Sequence, residues 1–439
     1  MLNNLPLNWC ECKFGDVGYL QNGYAFNSKL YKEKGVNLIR ISDIQDNEVI
    51  LDNCVKVSEK VDECFQVHKG DFLLAMSGAT TGKTGIYNSE DEALLNQRVG
   101  NLKIYDEKVL LPKFRNYFIS NKRSLIEKLA YGGAQPNISK AMIEDLDILL
   151  PPLAEQERIV EKIEVLFNDI DEGVERLKSA QAQIKQYRQS VLKSAFEGKL
   201  YKTTDWKEVS LEFIVSPDKY GMKRGPFGSS LKKEFFVSEG IRVFEQYNPI
   251  NNDPYWCRYF ISREKYKELN AFKAGPGDLL ISCSGTLGKI IELPSDTSEG
   301  IINQALLKIR LNNEKILNRF FINWFNSNQT QKLILDNVRG AAIQNIASVK
   351  ELKKIPLYLP TLPEQQRIVT EIEKRFAVAD ELEKAVNEGL EKADKLKQSI
   401  FKKAFEGKLV AQNPNDEPAS ILLERIKKEK QVQTKGKKK

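Results

Sequence analysis

The clearest pattern in the chain is an apolar residue returning every three or four positions over two long stretches. From Ile159 the series runs Ile159, Ile163, Leu166, Ile170, Gly173, Leu177, Ala180, Ile184, Tyr187, Val191, Ser194. It returns in the same phase as Ile368, Ile372, Arg375, Ala379, Leu382, Val386, Gly389, Ala393, Leu396, Ile400, Lys403. Charged residues such as Glu161, Lys162, Glu175, Arg176, Lys185 and Arg188 occupy the other faces. This is a heptad seam of about five repeats, so each stretch predicts one long helix of roughly 60 Å at about 1.5 Å per residue. Pro151, Pro152, Pro360 and Pro363 stand at the starts, where proline is tolerated in a first turn, and Gly198 and Gly407 at the ends. An antiparallel pairing of the two helices suits a single chain, because each helix begins and ends at a globular portion.

Ahead of each long helix the pattern changes to short apolar runs. Val36 to Ile41, Asp71 to Met76 and Gln97 to Ile104 read as strands, and Pro112 to Leu129 as a helix. The second copy gives strands at Ile241 to Glu245, Asp278 to Cys283 and Ala305 to Leu311, and a helix at Asn318 to Val338. The expected fold is α+β: two mixed α/β domains alternating with two long helices that pair as an antiparallel coiled coil, with a pseudo-two-fold internal repeat. The expected divisions are 1–152, the helix 153–198, 199–361, the helix 362–407 and a tail 408–439.

The duplication is visible in the letters themselves. EQERIVEKIEVLF at 155–167 recurs as EQQRIVTEIEKRF at 364–376, identical at 8 of 13 positions, and AFEGKL at 195–200 returns unchanged at 404–409. Upstream the copies match through Gly70 and Gly277, Lys83 and Lys289, Asn96 and Asn303, and Gln97 and Gln304. Around Gly23 to Phe26 and Gly225 to Gly228 the likeness fades.

Charge adds less than its total suggests. The chain has 67 basic and 60 acidic residues, net +7, but residues 425–439 hold eight Lys or Arg against one Glu and supply all of it. The folded part is neutral, so a nucleic-acid role needs other support, and the tail reads as a solvated, disordered end. No leader pattern and no run of about 18 apolar residues occurs, and the six cysteines are scattered, which points to a cytoplasmic protein with reduced thiols.

No active site emerges. Ser77 to Thr84 (SGATTGKT) falls one glycine short of a phosphate-cradling loop, and its counterpart from Ser284 is a residue shorter and ends in Ile290, without the hydroxyl that would hold magnesium. The Pro-Pro of Leu150 to Leu153 lacks the polar and aromatic groups that would cradle a target amine. His68 is the single histidine and sits in a polar turn. A metal site is not expected.

Two divergent α/β domains, two repeated helices with LP.EQ.RIV starts and AFEGKL ends together resemble the specificity subunits of type I restriction-modification systems, over nearly all of the chain to about residue 412. That resemblance implies a non-catalytic protein. Its globular portions would be target recognition domains, one per half of a bipartite, asymmetric double-stranded DNA site. The helices would set the unread spacer, holding the reading surfaces near one helical turn apart, about 34 Å, and dock two modification (methyltransferase) subunits. S-adenosylmethionine would be bound by those partners, and ATP and magnesium by restriction subunits, of which there could be two. A coiled-coil scaffold with no DNA role is the competing reading; it leaves the two α/β domains unexplained.

The duplication also sorts residues. Groups shared by both copies serve the fold or the phosphates, which makes Lys83 and Lys289 the phosphate candidates. Polar residues that differ, or that can grip a base edge in two places, are the base-reading candidates: Thr80, Thr81, Arg98, Gln135 and Asn137 in the first copy, Arg339, Gln344 and Asn345 in the second.

Overall fold

The computed structural model describes residues 5–436 except 46, 59–60, 132–135, 202–205 and 337–345. Two compact units divide it. Unit 1 is Met1–Arg176 with Gly389–Lys439, and unit 2 is Leu177–Glu388, so each unit contains one globular portion and half of each long helix. The helices run Leu153–Phe196 and Leu362–Phe405, 44 residues apiece. Within unit 1 the start of the first lies against the end of the second, and within unit 2 the end of the first lies against the start of the second. The pairing is therefore antiparallel.

Repeated motifs explain how the helices start and stop. At the start, Gln156 and Gln365 are both fully buried. Gln156 accepts the Leu111 N–H at 2.9 Å and donates to the carbonyls of Val109 (2.8 Å) and Pro151 (3.0 Å). Gln365 repeats this on the Leu317 N–H (2.8 Å) and on the carbonyls of Lys315 and Pro360 (both 2.9 Å). Each glutamine amide thus bolts the start of a long helix to the backbone of its globular portion. At the end, the AFEGKL glycines Gly198 and Gly407 take φ of 67° and 68°. The next N–H reaches back five residues, Lys199 to Ser194 at 2.9 Å and Lys408 to Lys403 at 2.8 Å, which closes a Schellman motif. The motif's phenylalanines then pack on the globular helices, Phe196 on Phe320 and Phe405 on Phe114 and Phe118.

Side-chain contact along the helix pair is narrower than the expected seam. Ile163, Ile184 and Val191 on one helix and Ile372, Ala379, Val386 and Ile400 on the other are buried, one position per heptad. Beyond Ile159 and Ile368, which the globular cores bury at the helix starts, the alternate positions drift to the margin: Leu382 and Leu396, expected in the seam, are 53% and 52% exposed. A seam using one position per heptad leaves the next seam residue on the flank of a two-helix contact. Ion pairs border it, Arg188 with Asp380 (2.6 Å) and Glu383 (2.9 Å) in unit 2 and Lys397 with Asp171 (2.5 Å) in unit 1.

The globular portions share one plan. Four strands in unit 1 lie in the order Gly18–Asn22, Val99–Ile104, Phe72–Ala75, Thr84–Ile86, and four in unit 2 in the order Met222–Arg224, Leu306–Ile309, Leu279–Ser282, Ile290–Glu292. A second sheet pairs Val36–Ile39 in parallel with Ala93–Leu95, or Ile241–Phe244 with Gly300–Ile302. The expected strands are present, each trimmed at its ends. Both expected helices are interrupted, into Pro112–Asn121 and Arg123–Ala130, and into Asn318–Phe325 and Asn328–Asp336. In the second, Ser327 causes the break: its hydroxyl donates to the Trp324 carbonyl at 2.8 Å and accepts the Thr330 N–H at 3.3 Å, capping the next helix. Each unit closes around its own apolar core, with Phe14, Phe114, Ile159, Ile163 and Ala404 in unit 1 and Leu279, Phe320, Phe321, Ile368 and Ile372 in unit 2.

The expectation of a disordered 408–439 tail is corrected. Ala419–Gly436 is a helix, and Ala419, Leu422, Leu423 and Ile426 join the core of unit 1. Its base is pinned by Arg158 to Asp416 at 2.6 Å, and Lys430 donates to the carbonyls of Gly15 (3.2 Å) and Asp16 (3.1 Å) while lying over the Tyr105 ring. An apolar stripe ahead of the basic run outweighs the charge. Ile426→Ala is expected to cost about 2 kcal/mol, read as a lower urea midpoint for the transition that includes the single tryptophan of unit 1, Trp9.

Candidate nucleic-acid interface

In each unit four strands finish at the same end of the two sheets. Gly18–Asn22 and Phe72–Ala75 both run antiparallel to Val99–Ile104, hence parallel to each other, and Val36–Ile39 is parallel to Ala93–Leu95. Their outgoing loops, 23–27, 40–43, 76–83 and 96–98, form one cluster. Unit 2 repeats it with 225–230, 245–248, 283–289 and 303–305 after Met222–Arg224, Ile241–Phe244, Leu279–Ser282 and Gly300–Ile302. Loops carried on the ends of a rigid sheet pair are free to vary in side chain while their backbones stay placed.

The cluster is locked by backbone contacts that the shared residues supply. A side-chain carbon on Gly23 would overlap the Asn96 carbonyl, and one on Gly225 the Asn303 carbonyl. Those carbonyls also accept the Val99 N–H at 2.8 Å and the Leu306 N–H at 3.1 Å. Asn96 and Asn303 are therefore scaffold, while the neighbouring Gln97 and Gln304 are exposed. The loop after the parallel strand is held by one side chain in both copies: Asp43 accepts the Arg40 N–H at 2.8 Å, and Asn248 the Glu245 N–H at 2.9 Å.

The residues singled out in the sequence fall as follows. Lys83 and Lys289 sit on the 76–83 and 283–289 loops, Lys83 half-buried and Lys289 exposed. Arg98 and Asn137 are exposed in the same cluster; the Arg98 carbonyl accepts the Met76 N–H at 3.0 Å, and Asn137 bridges to Ser77. Thr81 is 8% exposed and its hydroxyl donates to the Gly78 carbonyl at 2.6 Å, a loop-closing bond. Thr80 likewise spends its proton on the Ile41 carbonyl, at 3.0 Å. Gln135, Arg339, Gln344 and Asn345 lie outside the described residues. Ser77 to Thr84 is a hairpin between antiparallel strands, so no helix N-terminus follows Lys83 to receive a phosphate.

Several members of the cluster were missed by reasoning from the sequence. Arg40 in unit 1 and Glu245 in unit 2 occupy the same place, one residue beyond the parallel strand, with opposite charge. Burial pushes the Glu245 carboxyl upward, and the Arg258 cation partly offsets this. Gln246 accepts from Ser284 at 3.1 Å and so joins two loops of unit 2. Phe227 stands 89% exposed on the 225–230 loop. The signal was present in the capping spacing, Arg40–Asp43 and Glu245–Asn248, but the flanking letters diverge too far to align by eye.

This architecture defines a class: a duplicated pair of α/β modules, each presenting a variable loop cluster from a constant scaffold. The family model for the type I restriction modification DNA specificity domain matches residues 6–179 and 231–392. The chain belongs to this family, and its role is sequence-specific DNA recognition. It is 29% identical to the EcoBI specificity subunit of Escherichia coli over 96% of this chain and 92% of that one. It is 28% identical to the EcoKI specificity subunit of Escherichia coli strain K12, over 97% and 96%. Among solved structures, a chain from a study of complex assembly and conformational transition of the type I R-M system has a TM-score of 0.70 at 18% identity, covering 92% of this chain and 99% of that one. The HsdS subunit from Thermoanaerobacter tengcongensis has a TM-score of 0.50 at 17% identity, covering 93% and 99%. Among the described residues no helix is long and apolar enough to cross a membrane.

Proposed function

We propose that each loop cluster reads one half of a bipartite, asymmetric DNA target, and that the paired helices set the unread gap and dock two modification subunits. The observation that carries this is a constant scaffold with divergent tips: Gly23 and Gly225, Asn96 and Asn303 and the capping Asp43 and Asn248 hold the same backbone, while Arg40 faces Glu245 in the comparison and Ile41 faces Gln246. Unlike side chains on like backbones are what two unlike half-sites require. Lys83 and Lys289 would meet phosphates, and Arg98 and Asn137 base edges.

In this reading the chain has no active site and works in the cytoplasm. The modification subunits bind S-adenosylmethionine and transfer the methyl group; restriction subunits, where the system has them, bind ATP and magnesium. The test is co-expression with the cognate modification subunit and sequencing of the methylated DNA. A split motif with a fixed unread gap is expected, and a continuous motif or no methylation would overturn the bipartite reading.

A further inference from the structure

Phe227 is 89% exposed, more than any other large apolar side chain of the described residues, the next being Tyr131 at 68%. A single exposed apolar side chain is ordinary on a protein surface; what sets this one apart is that it stands on the 225–230 loop of the cluster. The loop beneath the ring is fixed. Gly225 lies flat on the Asn303 carbonyl, Pro226 is buried, and the Ser230 N–H closes a turn onto the Phe227 carbonyl at 2.9 Å. In the first copy the aromatic of the same loop, Phe26, is turned into the core, 7% exposed, with Leu38, Val57 and Leu94. The ring therefore belongs to what differs between the copies and not to the shared scaffold.

Its place in the chain indicates the partner. Arg224 lies three residues before it and the exposed Lys232 and Lys233 five and six after, Lys232 paired with Glu234 at 3.6 Å; Gly228, next in the chain, sits against the exposed Gln304. An isolated apolar ring on a loop of this cluster, with an amide beside it and no apolar patch around it, suits a polyanion whose surface offers small apolar features better than a protein pocket, which an apolar patch would match. In the major groove the feature of that kind is the thymine C5 methyl, which amide and guanidinium groups cannot recognise.

We propose that Phe227 is a specificity-determining residue that contacts the C5 methyl of one thymine in the half-site read by unit 2. This rests on the DNA-reading role of the loop cluster. The test uses the assembled complex with the modification subunit and duplexes carrying the motif found by methylation sequencing, each thymine of the half-sites replaced singly by uracil. Wild-type affinity is expected to fall roughly fivefold at one position. Phe227→Ala is expected to bind the parent duplex about tenfold more weakly and to be indifferent to uracil at that position, while Phe227→Leu retains most of the affinity. The proposal is overturned if Phe227→Ala binds the parent duplex like wild type, if it remains equally sensitive to uracil, or if it fails to retain the modification subunit on size exclusion, which would place the ring in a protein contact. Wild-type complex that prefers no duplex would instead defeat the DNA reading itself, and this proposal with it.

Discussion

Gly225→Ala is expected to lower the stability of unit 2 by about 4 kcal/mol and to abolish selective DNA binding. The added methyl falls on the Asn303 carbonyl, a backbone atom that cannot rotate aside. Nor can that carbonyl retreat, because it accepts the Leu306 N–H at 3.1 Å and Leu306 opens the strand paired with both Met222–Arg224 and Leu279–Ser282. Relief has to come from separating the 225–230 loop from 303–305, which dismantles the cluster as well as the fold. Gly23→Ala places the same clash on Asn96 in unit 1. Urea unfolding followed by tryptophan fluorescence separates the two, since Trp206, Trp256 and Trp324 are in unit 2 and Trp9 is in unit 1. The control is Gly173→Ala on the long helix, where an added methyl meets nothing within 4 Å; it should leave stability unchanged or raise it by up to about 1 kcal/mol. Equal losses at Gly173 and Gly225 would refute the argument.

Gln365→Ala is the second large effect, about 3 kcal/mol, because three backbone groups, one buried and two part-buried, lose their partner together: the carbonyl of Pro360, and the Leu317 N–H and the Lys315 carbonyl. Gln365→Glu should be no rescue. A carboxylate can keep the Leu317 bond but presents lone pairs to two carbonyls where the amide presented N–H groups, in a fully buried place. Gln156→Ala should repeat the loss in unit 1. The neighbouring exposed Gln366 is the matched control, and Gln366→Ala should change the midpoint by less than about 0.5 kcal/mol.

How far the chain could be read without coordinates follows from which interactions leave a trace in side-chain order. Heptad spacing and duplication are local patterns, so Leu153–Phe196 and Leu362–Phe405 were visible to within a few residues. The Gln of the repeated EQ was visible as a motif, but two of its three partners are backbone groups 45 to 50 positions upstream, which carry no letter of their own. The loop cluster was hidden for the same reason at longer range: it exists because Val36–Ile39 pairs in parallel with Ala93–Leu95, and nothing near Arg40 announces that pairing. The bond by which the Thr81 side chain closes its own turn likewise left no trace in the letters. The terminal helix was masked by averaging charge over 425–439, when the apolar stripe that docks it begins at Ala419.

The division into units carries a consequence for how the protein is made. Unit 2 is contiguous, whereas unit 1 is split, and its last portion, Gly389–Lys439, leaves the ribosome after the whole of unit 2. Until then Ile159, Ile163 and Phe167 lack Ile400, Phe401 and Ala404, and the first globular core lacks Leu422 and Ile426. At roughly 5–20 residues per second this apolar face waits for tens of seconds at the slower rate. The half of the molecule synthesised first is the half completed last, so nascent chains have a defined window in which that face is open to chaperones or to another unfinished copy.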